Sequence, residues 1–200
     1  MELLLNFNFN NFKMKNMKTI KINTKQLLLA LVLTGGAGFI NAQTTVTDSV
    51  KAPLSNNQVK TNPMIEGLKK QIEANPKDTE SLAKLATAYQ DVSDWNNAVD
   101  TWKKISVLLP DWSPSYYSQA YAYQAAKDDA NAKIAYEKYV STVKPEEVEA
   151  SKKNLAYAYL YIAFAEQKTN PDKAKEYITK SLQYDPTNQD AKKLSEALNS

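Results

Sequence analysis

The sequence predicts an all-α protein made of stacked helical hairpins, and three observations support that fold class. Prolines recur in the C-terminal part at intervals of 34, 35 and 41 residues, at Pro76, Pro110, Pro145 and Pro186, and periods of this size indicate repeated supersecondary units. Apolar residues between these prolines follow a helical spacing. Only Gly67 of the four glycines lies beyond residue 61, so nearly every helix is free of this helix-weakening residue.

The N-terminal 42 residues have the layout of a secretory signal peptide. Lysines precede an apolar run at 27–33 (LLLALVL), and small residues follow as far as Ala42. The apolar segment is too short to span a bilayer, which takes about 20 residues. We therefore expect cleavage after Ala42, translation from Met14 or Met17, and an exported protein that is periplasmic or secreted.

The composition excludes several kinds of chemistry. The chain has no cysteine, histidine or arginine, which rules out disulfides, thiolate nucleophiles, imidazole catalysis and the usual zinc sites. The formal net charge of +3 arises in the leader, because removing its five lysines and one glutamate leaves 20 lysines against 21 acidic residues. This balance predicts no nucleic-acid binding. We find no catalytic, cofactor or metal-binding motif and expect no enzyme.

The body of the chain begins after a polar segment at 43–61, which lacks any helical or strand period and predicts a flexible linker. Residues 62–200 then form the predicted repeat domain. Its first full unit has two apolar faces at helical spacing, Leu82-Leu85-Ala86-Tyr89 and Trp95-Ala98-Trp102-Ile105. The segment 91–94, which contains the polar turn residues Asp91, Ser93 and Asp94, separates the two faces, with Asp94 as a helix N-cap. The pattern predicts two antiparallel helices in each unit.

These units resemble the tetratricopeptide repeat (TPR), whose pattern is W-x2-L-G-x2-Y, then A-x3-F, then P. Residues 79–112 give Leu82-x2-Leu85-Ala86-x2-Tyr89, then Ala98-x3-Trp102, then Pro110. Residues 113–146 give Tyr116-x2-Gln119-Ala120-x2-Tyr123, then Ala132-x3-Tyr136. Residues 155–188 keep Ala174-x3-Ile178 and Pro186, with either Ile162 or Ala163 at the small position. The resemblance implies a right-handed α-α superhelix of about three repeats.

Partial units flank the three repeats. Met64, Leu68 and Ile72 predict a lone second helix, a half-repeat, and residues 188–200 predict a polar capping helix. Seven extra residues before repeat three (EEVEASK) should lengthen its first helix by about two turns. Three pairs predict helix starts with a capping side chain before proline: Asn62-Pro63, Ser113-Pro114 and Asn170-Pro171.

The resemblance also implies a binding groove, because the first helices of this family line a concave surface. We expect most aromatic residues at consensus positions to lie in the core, namely Tyr89, Trp95, Trp102, Tyr116, Tyr123 and Tyr136. The predicted groove residues are Lys84, Thr87, Asp91, Tyr117, Tyr121, Gln124 and Tyr159. Among them Tyr117, Tyr121 and Tyr159 would form an aromatic strip suited to a helix or an extended peptide. The alternative is that the half-repeat or the capping helix covers this strip.

The predicted function is that of a non-enzymatic interaction module or scaffold of the cell envelope, which binds a peptide, a helix or a partner subunit. A self-associating structural oligomer that uses the same aromatic strip is the alternative. The family members that grip a C-terminal carboxylate use lysine and asparagine in the groove, where this chain has Ala83, Thr87 and Ser118. A role as a cytosolic chaperone adaptor is therefore not expected.

Overall fold

The computed structural model describes residues 62–200, and this part of the chain is all-α. The signal peptide predicted at 1–42 and the linker predicted at 43–61 lie outside the described residues. The helices are α1 (Pro63–Ala74), α2 (Thr79–Asp91), α3 (Trp95–Leu108), α4 (Ser113–Ala125), α5 (Asp129–Thr142), α6 (Val148–Glu166), α7 (Pro171–Tyr184) and α8 (Gln189–Asn199), with a 3-10 turn at Pro145–Glu147 before α6.

Short polar side chains start most of the helices. The Asn62 side chain accepts a hydrogen bond from the backbone N–H of Met64 at 3.0 Å, and Asp78 accepts from those of Glu80 and Ser81, both at 3.1 Å. Aspartate or asparagine caps α3, α5, α7 and α8 in the same way. These bonds satisfy backbone donors that the first turn leaves unpaired.

The predicted cap at Ser113 is wrong. Helix α4 includes Ser113 and begins after Trp112, whose side chain makes no capping bond. The hydroxyl of Ser113 is buried and donates instead to the carboxylate of Glu147 at 3.2 Å. This bond ties the start of repeat two to the 3-10 turn that precedes repeat three.

Three complete hairpins pack in sequence, α2 with α3, α4 with α5, and α6 with α7. The small residues at the helix crossings are completely buried: Ala86 and Ala98, Ala120 and Ala132, Ala163 and Ala174. The two alanines of a repeat are 12 residues apart in repeats one and two but 11 apart in repeat three. Repeat three has therefore lost one residue between its helices, and Ala163 takes the small position.

The predicted ends of the solenoid are confirmed. Helix α1 packs on α2 as a lone half-repeat, and α8 packs on α7 as a cap that buries only Ala191 and Leu194. The first helix of repeat three has 19 residues, against 13 in α2 and α4, which confirms its predicted extension. None of the helices in 62–200 is long and apolar enough to cross a membrane.

Candidate binding groove

Three predicted groove residues form a polar stripe on α2. Lys84, Thr87 and Asp91 follow one another at helical spacing, so they share one face, and Lys84 and Asp91 are exposed while Thr87 is half-buried. The Lys84 side chain is 54% exposed, and its ammonium group donates to Glu80 at 2.6 Å. The stripe therefore presents a cation, a hydroxyl and a carboxylate within two helical turns.

Tyr121 extends this surface into repeat two, since it holds the repeat position that Thr87 has in repeat one. Its half-buried ring meets the half-buried ring of Trp95 edge to face, with centroids 6.1 Å apart and planes at 81°. This is a favourable aromatic geometry. Trp95 was expected in the core, but the structure leaves part of it in contact with solvent.

Tyr117 does not belong to an exposed strip, and that expectation is wrong. The residue is only 5% exposed. Its ring packs edge to face against Tyr136 and Tyr139 of α5, with centroids 5.6 and 5.1 Å apart. The second helix of its own repeat covers Tyr117, and neither the half-repeat nor the cap does. Burial raises the pKa of the Tyr117 phenol well above its usual value.

Tyr117 is one of five buried tyrosines that form a central tyrosine cluster between repeats two and three, with Tyr136, Tyr139, Tyr157 and Tyr161. Burial raises the pKa of Tyr157 to about 12, although its hydrogen bond with Gln124 opposes the rise. The Tyr161 hydroxyl donates to Asp129 at 2.8 Å.

Gln124 is another predicted groove residue that the structure places differently. Its amide group forms hydrogen bonds with buried tyrosines. Its Nε2 donates to the Tyr157 hydroxyl at 2.8 Å, and its Oε1 accepts from the Tyr136 hydroxyl at 3.0 Å. Gln90 has the same role in repeat one, where it accepts from the Trp102 indole N–H at 3.3 Å. In repeats one and two, a glutamine of the first helix therefore forms a hydrogen bond with an aromatic side chain of the second helix.

Tyr159 lies outside the groove, so its predicted place in the aromatic strip is wrong. Its half-buried ring stacks between Tyr177 and Tyr184 of α7, with centroids 6.0 and 5.9 Å away. The ammonium group of Lys180 lies 5.6 Å above the Tyr159 ring. Tyr116 and Lys138 make the equivalent contact in repeat two at 5.5 Å, which shows that Tyr159 packs against its own hairpin.

Glu166 of α6 is a buried ionic residue that the sequence pattern did not reveal. It stands where repeats one and two have a tyrosine, and its side chain is 9% exposed. It forms an ion pair with Lys133 of α5 and accepts from the Thr169 hydroxyl at 3.1 Å. The ion pair lowers the pKa of Glu166 and raises that of Lys133. The departure of Glu166 from the expected tyrosine was the available signal.

The described residues contain no cluster of three or more acidic side chains that could hold a metal ion. The aspartates at the turn of repeat two have structural partners, since Asp128 caps α5 and Asp129 accepts from Tyr161. Of the predicted groove residues, Lys84 and Asp91 are exposed and Thr87 and Tyr121 are half-buried, and the Thr87 hydroxyl donates to the Ala83 carbonyl at 3.0 Å. This arrangement can contribute hydrogen bonds, charge and an aromatic edge to a bound chain.

Comparison with known proteins agrees with this architecture. Residues 115–142, which span most of repeat two, match the tetratricopeptide repeat family. The structure of MamA is similar at a TM-score of 0.54 and 24% identity, covering 67% of this chain and 74% of MamA. A second MamA structure gives 0.52 and 23%, with 68% and 75% covered. No curated protein matches the sequence.

The C-terminal part of a TPR repeat-containing protein from Cytophaga hutchinsonii is also similar, with a TM-score of 0.59 and 26% identity over 69% of this chain. The match spans 56% of that structure. The fold is therefore a TPR-type α-α superhelix, an architecture typical of non-enzymatic protein-interaction modules.

Proposed function

We propose that this chain is an interaction module or scaffold of the cell envelope that binds a peptide, a helix or a partner subunit in its concave groove. The observation that carries the proposal is the polar stripe of Lys84, Thr87 and Asp91 beside the half-buried ring of Tyr121. Mixed polar groups next to an aromatic edge suit recognition of a protein chain.

The envelope location rests on the leader sequence. Lysines, an apolar run and small residues up to Ala42 are typical of a signal peptide. We expect mass spectrometry of the exported protein to find Gln43 at its N-terminus. Recovery of the protein in the cytoplasm with its leader intact would contradict export without affecting the groove.

The groove is tested by affinity capture from the envelope fraction. The variant Lys84→Ala/Thr87→Ala/Tyr121→Ala should recover at least about tenfold less partner than the wild type, because a few central side chains carry most binding energy. Val107→Ala is the matched control, since Val107 is an apolar side chain that is 80% exposed on another helix. Equal recovery by the triple variant and the wild type would reject the groove.

Self-association through the predicted aromatic strip is the second candidate function. Two of the three tyrosines predicted for that strip are not available for it. Tyr117 is buried and Tyr159 packs on α7, so only Tyr121 of the three could serve. Light scattering tests this candidate directly. A monomer mass at all concentrations supports the partner-binding function, whereas a dimer that Tyr121→Ala dissociates would support the oligomer.

A further inference from the structure

A second surface, on repeat three, has a composition of its own. Lys173, Tyr177, Lys180 and Tyr184 follow one another along α7 at steps of four, three and four residues, so all four lie on one face. The face runs for about 16 Å along the helix. The acidic residues of α7, Asp172 and Glu176, lie outside this run. Together with Tyr159 of α6, these four residues form what we name the lysine–tyrosine strip.

Ring contacts hold the strip in a fixed arrangement. Tyr159 is parallel to Tyr184, with an angle of 4° between their planes, and lies at 27° to Tyr177. Tyr177 and Tyr184 are about 10.5 Å apart along the helix axis, and Tyr159 lies about 6 Å from each. The Tyr159 ring is therefore flanked by the other two rings in offset, near-parallel stacking.

The two lysines of the strip lie over its tyrosine rings. The ammonium group of Lys180 lies 5.6 Å from the ring centre of Tyr159 and 5.9 Å from that of Tyr177. Lys173 lies 5.5 Å from the ring centre of Tyr177. Cation–π contacts of this length hold the charges in place over the rings. Lys180 is exposed, and the other four residues of the strip are half-buried.

The chemistry of these groups indicates the kind of partner. Sugars and nucleic-acid bases that stack on aromatic rings need an open ring face, whereas the Tyr159 ring has two tyrosine rings and the Lys180 ammonium group as neighbours. Ammonium groups act only as hydrogen-bond donors. Glu176 lies one helical turn from both lysines and the charge of Lys173 lowers the pKa of Glu166, but the ion pairs of the described residues include neither Lys173 nor Lys180. We infer that the strip docks an acidic segment of a partner protein, whose carboxylates pair with Lys173 and Lys180. The strip is separate from the groove, and the inference does not depend on the groove function.

The spacing of the lysines restricts the partner further. Lys173 and Lys180 are two helical turns apart, about 10.5 Å along the axis. A segment in the polyproline II conformation has three residues per turn and rises about 3.1 Å for each residue, so its carboxylates three residues apart lie on the same side, about 9.3 Å from each other, and match the two lysines. Because stacking already restricts the tyrosine rings, they lose little conformational entropy when the segment binds.

Repeat two provides an internal control. Lys138 lies 5.5 Å over the ring of Tyr116, in the position that Lys180 has over Tyr159. The neighbouring strip positions on α5 are not lysine or tyrosine, since Asn131, Ala135 and Thr142 occupy them. Lys138 therefore has the same local contact without the row of cations and rings.

The test is fluorescence anisotropy with the protein purified from the fraction in which it accumulates. The probe is a labelled peptide of four Glu-Ala-Ala units, compared with the same peptide in which glutamine replaces glutamate. We expect the glutamate peptide to bind at least about tenfold more tightly, and its affinity to fall as salt screens the charges. Lys173→Gln/Lys180→Gln should lose at least about tenfold in affinity, and Lys138→Gln less than about twofold.

Three results would overturn the inference. They are equal binding of the glutamate and glutamine peptides, equal losses in the strip and Lys138 variants, and tighter binding of a labelled oligothymidine than of the glutamate peptide. Circular dichroism checks that each variant stays helical, and exposed lysine to glutamine changes conserve helix propensity. A variant that retains groove capture but loses the acidic peptide separates the two surfaces.

Discussion

The centre of the solenoid and its two ends are filled by different side chains. At the N-terminal end, Ile65 and Leu68 of α1 pack with Leu85 in a mainly aliphatic cluster that includes one buried tyrosine, Tyr89. At the C-terminal end, Ile178 packs with Leu194 of the cap. The interior between repeats two and three is instead the central tyrosine cluster, in which the hydroxyls of Tyr136 and Tyr157 bond to Gln124 and that of Tyr161 bonds to Asp129.

The ends and the centre of the solenoid place different requirements on the side chains that fill them. Aliphatic ends need only the right volume on the right face, which several apolar residues can supply. Buried phenols also need matched acceptors, because an unpaired buried polar group destabilises the fold. The centre is therefore less tolerant of substitution than the ends.

The largest effect is expected for Tyr136→Ala. Tyr136 is completely buried, contacts three other tyrosines of the cluster and donates to Gln124. Its truncation should lower the free energy of unfolding by about 3 to 5 kcal/mol, measured by urea denaturation. Tyr116→Ala is the control, since Tyr116 is half-buried and should lose much less. Equal losses would contradict the burial of Tyr136 within the cluster.

Alkaline pH should also destabilise the centre. Burial raises the pKa of Tyr117 and Tyr136 and brings that of Tyr157 to about 12, while an unfolded tyrosine titrates near 10. Above pH 10 the unfolded chain therefore releases protons that the folded chain keeps. The free energy of unfolding is unaffected below pH 10 and falls above it, by about 1.4 kcal/mol per pH unit for each such tyrosine.

Urea denaturation at pH 9 and pH 11 measures this fall. Tyr157→Phe should show a smaller fall than the wild type, because one titrating group is gone. Tyr123→Phe serves as the control, since Tyr123 is half-buried and lies outside the cluster. A stability that is the same at both pH values would show that these phenols are not buried as described.

A smaller effect is expected at the ion pair that joins repeats two and three. Lys133→Met leaves the carboxylate of Glu166, with 9% exposure, only the Thr169 hydroxyl as a partner. We expect a loss of about 1 to 3 kcal/mol. Lys69→Met is the matched control, because its pair with Glu66 is 41% and 47% exposed and should contribute below about 0.5 kcal/mol. Similar losses in both variants would count against a buried pair.

Most of the fold could be predicted from the sequence, because repeat proteins use the same contacts several times. The buried faces of Leu82 and Leu85, the lone α1 and the cap α8 all follow from helical spacing and proline intervals. The placement of Tyr117 could not be predicted. Its repeat position lies between the groove and the next helix. The angle at which the hairpins stack determines whether the side chain faces the groove or packs against that helix.

Tyr159 was misplaced for a different reason, namely the register of repeat three. The spacing from Ala163 to Ala174 is one residue shorter than in the other repeats, and the sequence alone left both Ile162 and Ala163 open as the small position. The lysine–tyrosine strip could have been found from the spacing of Lys173, Tyr177, Lys180 and Tyr184 alone. Its stacked partner from α6 required the structure.

The segment between the two buried alanines of repeat three is one residue shorter than in repeats one and two. The turns inside the repeats also differ in backbone conformation, and this difference leads to the smallest predicted effect on stability. In repeats one and two, Ser93 and Lys127 have φ of 59° and 63°, whereas no other described non-glycine residue has a positive φ. Left-handed backbone costs an L-residue about 1 to 2 kcal/mol, which glycine avoids. Ser93→Gly and Lys127→Gly should each raise the free energy of unfolding by up to about 1 kcal/mol.

In the turn of repeat three, a substitution to glycine should have the opposite effect on stability. Lys168 is exposed in that turn and has no positive φ, so Lys168→Gly relieves no strain and adds freedom to the unfolded chain. It should lower the free energy of unfolding by about 0.5 to 1 kcal/mol. Thermal unfolding of the three glycine variants measures the contrast. A gain in all three, or a loss in all three, would mean that backbone strain does not distinguish the turns.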